Sequence, residues 1–394
     1  MKPKQAVILA GGKGTRLRPI TYSIPKSMIK FNDLPFLEHL ICMLKEQGFK
    51  KILILTGYLH DIIENYFNNG SKWGIEIEYS FSNVENETGK RLKIAESKIE
   101  NIFFLMYCDN YWPIDFNKMW GFYKKSNVDA LVTVYNNDDN YTKSNMIINK
   151  DGIVKVYDKT RTIPDLKGVD IGFLILNKKV LNLIPQGNVS FEKNVYPQLI
   201  ENKNLVAYIT EHRYYSVGSI ERLNLTNSFF SSQPTIILDR DGVINKKLKK
   251  GTYVCKWEDW IWNPGSVEAI FELKKSGYRI IIITNQAGIA RGFMTESDLF
   301  EIHHKMKKHL LKNGGDIDKI YFCPHGWNDS CNCRKPKPGM LFQAQRDFNI
   351  NLHKTYFIGD DIRDIQAGEK AGCKTIMLNK NHSLLELIKE HDLI

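Results

Sequence analysis

The chain has 394 residues, 43% hydrophobic and 25% charged, which is a soluble globular composition on a length that exceeds what one hydrophobic core usually serves. No window approaches the ~18 unbroken apolar residues of a membrane helix, and the basic start Met1-Lys-Pro-Lys runs into Gly11-Gly12 too soon for a signal peptide. A cytoplasmic protein with no membrane contact is therefore expected. The formal net charge of +11 is spread as +6 over residues 1–230 (30 basic against 24 acidic) and +5 over the remainder. With no basic arm or aromatic-interleaved stripe, that charge suits small anionic substrates and argues against a nucleic-acid partner. Seven cysteines, three of them within Cys323–Cys333, read as a metal site and not as a disulfide framework.

In chain order, strand-like apolar runs fall at Gln5–Ala10, Lys51–Thr56, Ile102–Cys108, Ala130–Tyr135, Thr235–Leu238, Arg279–Thr284 and Thr355–Ile358. Helical patterns such as Phe36–Gln47, Val267–Lys275 and Glu296–Leu311 lie between them. This alternation predicts an α/β protein with mostly parallel, doubly wound sheets and ligands at the carboxyl ends of strands. A strand running into a polar functional loop starts afresh twice, at Val7 and at Thr235. The polar, proline-closed stretch Thr226–Pro234 separates them, so domains are expected at 1–228 and 235–394.

The first loop is Leu9-Ala-Gly11-Gly12-Lys13-Gly14-Thr15-Arg16-Leu17. Small residues let backbone N–H groups approach phosphates, and Lys13 and Arg16 neutralise them. Leu17 stands where the dinucleotide fingerprint would need its third glycine. With Pro25-Lys26 close behind, the segment resembles the sugar-1-phosphate nucleotidyltransferases over residues 4–225, which implies a Rossmann-like domain. The resemblance implies that Gly11, Gly12, Gly14, Thr15 and Arg16 bind the nucleotide, that Lys26 holds the sugar phosphate against the α-phosphate, and that Asp109 is a Mg²⁺ ligand. It puts Asp158, Lys159, Gly172 and Glu192 on the sugar side. Two departures stand out. Ser216 occupies the place of a metal-binding acid, with Glu221 as a neighbour able to compensate, and Glu87-Thr-Gly-Lys-Arg91 replaces the family's small-residue nucleotide loop.

In the second half, Asp239-Arg-Asp241-Gly242 follows a strand. Paired carboxylates there divide attack on phosphorus from proton transfer. Thr284-Asn285-Gln286, Arg334-Lys335-Pro336 and Gly359-Asp360-Asp361-Ile-Arg-Asp364 follow in order. The set resembles the haloacid-dehalogenase phosphatase superfamily across residues 235–380. It implies Asp239 as nucleophile, Asp241 as general acid/base, Thr284 on the phosphoryl group, Lys335 as charge neutraliser, and Mg²⁺ held among Asp239, Asp241 and Asp360. Asp361 or Asp364 assists. Cys323, His325, Cys331 and Cys333 form a C-x-H…C-x-C set suited to tetrahedral, structural Zn²⁺. Within the superfamily, such a zinc loop resembles the histidinol-phosphatase and heptose-bisphosphate phosphatase branch. Asn285-Gln286-Ala-Gly-Ile-Ala-Arg291-Gly is similar to the heptose members, which implies that Gln286 and Arg334 contact the sugar or its second phosphate and that Asn285 and Arg291 also bind substrate, the hydroxyl and amides of Thr284-Asn285-Gln286 being able to take a phosphoryl oxygen.

Joined, the two resemblances imply a bifunctional enzyme making a nucleotide-activated heptose. A 7-phosphatase would feed a transferase that takes an NTP, with GTP favoured by pathway analogy. The alternatives are a histidinol-phosphate phosphatase, a phosphatase carrying an inactive regulatory transferase-like domain, and a nucleic-acid end-processing enzyme. The sequence leaves oligomeric state, anomer and base open.

Overall fold

A computed structural model describes residues 2–249 and 251–394. The chain divides into two compact units, Met1–Ser231 and Ser232–Ile394.

The first unit is built on a seven-stranded sheet. Its strands are β1 (Gln5–Leu9), β2 (Lys51–Thr56), β3 (Glu76–Phe81), β4 (Ile102–Tyr107), β5 (Ala130–Tyr135), β6 (Val169–Asn177) and β7 (Leu205–Thr210). They run in the order β7-β5-β6-β4-β1-β2-β3. All neighbours are parallel except β6, which is antiparallel to both β4 and β5. Helices α1 (Phe36–Glu46), α2 (His60–Phe67), α3 (Thr88–Ile94), α4 (Phe116–Ser126), α5 (Phe191–Glu201) and α6 (Ile220–Phe230) complete it. Past Gln5, strand β1 is apolar because both its faces are covered. Ala6 and Ile8 enter one hydrophobic cluster, and Val7 and Leu9 enter the other.

The second unit repeats the logic with five strands, all parallel. They are β8 (Thr235–Leu238), β9 (Arg279–Asn285), β10 (Lys319–Cys323), β11 (Tyr356–Gly359) and β12 (Lys374–Met377), ordered β10-β9-β8-β11-β12. Ile236 and Leu238 pack into the cluster on one face, and Ile237 into that on the other. Helices α7 (Ser266–Lys275), α8 (Glu296–Lys312), α9 (Gly339–Phe348), α10 (Ile362–Ala371) and α11 (Leu384–Glu390) complete the unit. Both units are thus α/β with apolar clusters on both sheet faces. Register fixes where the functional loops emerge. Leu9 pairs with Tyr107, so the glycine loop and Asp109 leave neighbouring strand ends. Leu238 pairs with both Ile282 and Ile358, which brings Asp239, Thr284 and Asp360 to one edge. No described helix is long and apolar enough to cross a membrane.

Candidate active sites

In the second unit, Asp239 is 6% exposed at the end of β8. The Lys335 ammonium is 4% exposed and donates to Asp239 Oδ1 at 2.6 Å and to the Ile283 carbonyl at 2.9 Å, and pairs with Asp364 Oδ1 at 2.7 Å. Burial pushes Asp239 up to about 7, with Asp364 and Asp241 adding to the rise and Lys335 opposing it. Burial would lower Lys335, but Asp239 and Asp364 outweigh it and the net is upward.

Asp241 has a separate set of partners. Arg240, 1% exposed, donates to both its oxygens at 2.9 Å. Asn245 and Gln286 donate at 2.9 and 2.8 Å, and Thr284 Oγ1 lies at 3.5 Å. Burial raises its pKa, yet Arg240 and the amides more than offset that, so Asp241 is held ionised. Behind Arg240, His303 on α8 lies 3.2 Å from its guanidinium, and burial followed by Arg240 pushes that imidazole down to about 3, leaving it neutral.

The carboxylates of Asp239, Asp360 and Asp364 have oxygens within 4.8 Å of one another. Such crowding of buried acids fits a divalent cation. The structure puts Asp364 in this group, where the sequence pointed to Asp241 and left Asp361 and Asp364 unresolved. Asp241 is taken up by Arg240, and Asp361 caps α10, accepting from Arg363 at 2.8 Å. Gly242 is required beside them. Its φ of +108° is strained for any side chain, and a Cβ there would lie 2.2 Å from Asp360 Oδ2. Lys247 reaches Asp360 at 2.8 Å from the loop after β8. No motif marked that lysine; its only signal was a run of basic residues.

Asn285 and Gln286, expected to bind substrate, are engaged inward. Asn285 exchanges two 3.1 Å bonds with the Lys335 backbone, and Gln286, 1% exposed, also donates to Thr284 at 2.8 Å. Both therefore position catalytic groups, while their outer edges line a larger cavity. That cavity, of about 580 Å³, is lined by Arg240, Lys247, Lys249, Arg334 and Arg363, by the carboxylates Asp241 and Asp361, and by Tyr253 and Trp327. Arg291 stacks at the aromatics, 5.7 Å from Tyr253 and 5.9 Å from Trp327.

Cys323, His325, Cys331 and Cys333 converge. Cys323 Sγ lies 3.8 Å from Cys331 Sγ and 3.5 Å from His325 Nδ1, which is 3.2 Å from Cys333 Sγ. Ligands about 2.0–2.3 Å from a tetrahedral Zn²⁺ would be roughly 3.5–3.8 Å apart, so the donor set could hold zinc. Arg334 Nη1 donates to the His325 carbonyl at 3.1 Å, tying this loop to the cationic segment beside it.

In the first unit, Lys26 Nζ lies 2.5 Å from Asp109 Oδ2. Burial disfavours both charges, but their pairing prevails, raising Lys26 and lowering Asp109, with Arg16 adding to the latter. Gly11, Gly12 and Gly14 form the loop after β1, Thr15 and Arg16 begin a 3₁₀ turn, and Lys13 pairs with Glu85. Ser216, 8% exposed, pairs with Asn110, and the Val217 N–H donates to the Asp109 carbonyl at 2.9 Å. The serine therefore stands one register position from Asp109. Glu221 is exposed in the first turn of α6. On β6, the strand beside β4, Asp170 accepts from the Gly172 N–H and the Tyr196 hydroxyl at 2.8 and 3.0 Å, and burial raises it to about 6. Lys159 lies 3.8 Å from Glu192, and Asp158 accepts backbone N–H groups of Thr160, Thr162 and Ile163.

A glycine-rich loop with a Lys–Asp pair, followed by a buried Asp–Lys–Asp cluster, defines an enzyme of two parts, a nucleotidyltransferase and a phosphatase. Comparison with known proteins agrees. The family described as Nucleotidyl transferase matches residues 5–276, a span that continues past Ser231, and that described as HAD-hydrolase-like matches residues 332–390. The D-glycero-beta-D-manno-heptose-1,7-bisphosphate 7-phosphatase of Pseudomonas aeruginosa is 38% identical over 158 residues, covering 40% of this chain and 88% of its own length. That of Neisseria meningitidis serogroup A is 43% identical over 143 residues, 36% of this chain and 75% of its own. Among solved structures, HddC from Yersinia pseudotuberculosis is 25% identical with a TM-score of 0.50, covering 58% of this chain and 100% of its own, and it is also known in complex with GMP-PN. The chain belongs to the nucleotidyl transferase family and, through its second unit, to that of the heptose-bisphosphate 7-phosphatases.

Proposed function

We propose that the chain makes a nucleotide-activated heptose in two steps: it removes the 7-phosphate of D-glycero-D-manno-heptose 1,7-bisphosphate and transfers a nucleotidyl group, GMP from GTP, to heptose 1-phosphate. The observation that carries this is the cationic cavity beside Asp239. A bisphosphate places one phosphate against Asp239 and Lys335 and leaves a second anion to be met by Lys249 and Arg334. Histidinol phosphate would instead bring an ammonium into a lining with five cations and two carboxylates, an unfavourable pairing.

In the phosphatase, Asp239 attacks phosphorus as the bond to the sugar oxygen breaks, and Asp241 protonates the leaving oxygen. Water then attacks the phosphoaspartate and Asp241 takes its proton. Arg240 keeps Asp241 ionised in the free enzyme, the form needed in the second step. The negative charge of bound substrate raises it for the first. Lys335 and Thr284 hold the phosphoryl oxygens. Asp239 and Asp360 would bind Mg²⁺, which supplies further charge neutralisation there. Zn²⁺ on Cys323, His325, Cys331 and Cys333 fixes the loop that aims Arg334 and Lys335.

In the transferase, Lys26 aligns the sugar phosphate with the α-phosphate of a nucleotide held over Gly11–Arg16. Asp109 orients Lys26 and would hold Mg²⁺. The steps would serve surface-glycan synthesis in the cytoplasm. GTP is favoured because the HddC likeness includes a complex with GMP-PN. The test is to incubate the protein with heptose 1,7-bisphosphate (each anomer) or histidinol phosphate, then with each NTP, following phosphate and pyrophosphate. Faster phosphate release from histidinol phosphate would overturn the substrate assignment. The second reading, an inactive regulatory first unit, is favoured by Ser216, and an absence of pyrophosphate with every NTP would establish it.

A further inference from the structure

Arg91, in the segment that departs from the family's small-residue loop, is 5% exposed and lies directly under the glycine loop. Its Nε donates to the Asn86 carbonyl at 2.9 Å. Its Nη1 donates to the Thr56 carbonyl at 2.9 Å and to Ser82 Oγ at 2.7 Å. Its Nη2 reaches the carbonyls of Gly11, Asn83 and Val84 at 3.2, 3.1 and 3.1 Å. The space it fills exists only because two residues lack side chains. A Cβ on Gly11 would be 2.1 Å from Nη1, and one on Gly57 would be 2.6 Å away.

All the acceptors are neutral. Among the described residues no carboxylate lies within ion-pair distance of Arg91, Glu87 acting on it only from further off, whereas Lys26 has one such partner and Lys335 two. A buried cation with satisfied hydrogen bonds but no directly paired carboxylate is costly, and lowering that cost is worth binding energy to any anion that settles nearby. The groups it joins are the three segments that border the loop: Gly11 after β1, Thr56 ending β2, and residues 82–86 after β3.

Building on the transferase reading above, we propose that Arg91 is a positioning residue of the nucleotide site: it locks Gly11, Thr56 and the 82–86 loop into one cradle and supplies a buried positive charge that the polyphosphate of a nucleoside triphosphate completes. The replaced loop is then a rebuilt cradle and not a degenerate one.

The experiment uses the full chain with wild type, Arg91→Lys and Arg91→Met. GTP and ATP binding is measured by calorimetry, the KM and kcat of pyrophosphate release by kinetics, and phosphate release by the second unit serves as a folding control. Loss of a charge-assisted network predicts nucleotide binding about 10-fold or more weaker in Arg91→Met, with KM rising more than kcat falls. Arg91→Lys should recover part of the affinity by restoring the charge. Unchanged nucleotide affinity in a folded variant overturns the proposal, as does a fall in kcat at constant KM. Where the variants fail to fold, hydrogen exchange of wild type decides. GTP should slow exchange across residues 82–91, and no change there overturns the idea. A wild type that binds GTP without releasing pyrophosphate sinks the transferase reading, while the affinity comparison still decides the role of Arg91.

Discussion

At the end of β8 one buried ammonium, Lys335, faces Asp239 and Asp364, with Asp360 within reach of both acids. At the ends of β1 and β4 one carboxylate, Asp109, faces Lys26, with Arg16 close enough to lower its pKa and Arg91 buried below. The floor of the first cleft carries surplus acid, although the cavity opening beyond it is cationic, and the second carries surplus base. Surplus buried carboxylate is relieved by a divalent cation or a retained proton, and surplus buried cation by an anion. The two clefts of one chain thus differ in what must arrive to balance them. A metal ion would complete the phosphatase before its substrate adds more negative charge, whereas in the transferase the polyphosphate itself would provide much of the balance.

Single substitutions can break this comparison. Asp239→Asn should cut phosphate release by about 10⁴-fold or more, because it removes the attacking oxygen, and leave pyrophosphate release unchanged. Loss of both activities in a folded variant would mean that the clefts are not independent. Lys26→Ala is the reciprocal change. It removes the cation that Asp109 orients and should lower transfer by about 10²–10³-fold with phosphate release intact. A transfer rate that survives would assign the sugar phosphate to Arg16 or Lys13.

The cysteine cluster sharpens the contrast, since among the described residues only the second unit has such a support. Metal analysis should find about one tightly held zinc per chain, lost in the Cys331→Ser, Cys333→Ser variant. Phosphate release should then fall about 10-fold or more, because the loop that carries Arg334 and Lys335 loses its anchor. Full activity with no zinc would remove the metal from the account. Transfer should be indifferent.

The strand ends were legible because both faces of each sheet are covered. Runs such as Thr235–Leu238 and Ala130–Tyr135 are apolar without alternation and stop at a charged or polar residue. Strand direction was not legible. Val169–Asn177 is apolar from Phe173 to Leu176, like its neighbours, and nothing in that run says that the strand lies antiparallel between β4 and β5. Residue types announced the reacting groups, Asp239, Lys335, Lys26 and the four Cys/His donors. They did not announce which way an amide would turn. Asn285 and Gln286 read as substrate contacts, and the structure turns both toward Lys335, Asp241 and Thr284. The choice between Asp361 and Asp364 was invisible for a similar reason. Both lie at the start of α10, and only the fold shows that one caps the helix while the other reaches Lys335. Arg91 gave a signal only as a departure, and its partners come from three separate strand ends.

The smallest expected effect is also the most direct probe of the transferase imbalance. Ser216 pairs with Asn110 next to Asp109, so an acid there would add a second carboxylate to the same corner of the cleft. A hydroxyl is a weak ligand for Mg²⁺ beside a carboxylate, and the corner as it stands presents one acid against Lys26 and Arg16. Ser216→Asp should therefore lower the Mg²⁺ concentration needed for transfer by a factor on the order of 3–10, since one more negative ligand strengthens a hard-cation site. The same change has a cost that identifies its cause. Without Mg²⁺, two carboxylates at 216 and 109 repel, and the variant should melt at a lower temperature than wild type. Adding Mg²⁺ should recover that loss in the variant while moving wild type less. If the variant neither shifts its Mg²⁺ requirement nor shows Mg²⁺-dependent stabilisation, the metal in this cleft is not held at the Asp109 corner. Lys26, Arg16 and the buried Arg91 would then carry the charge balance of transfer without a second acid.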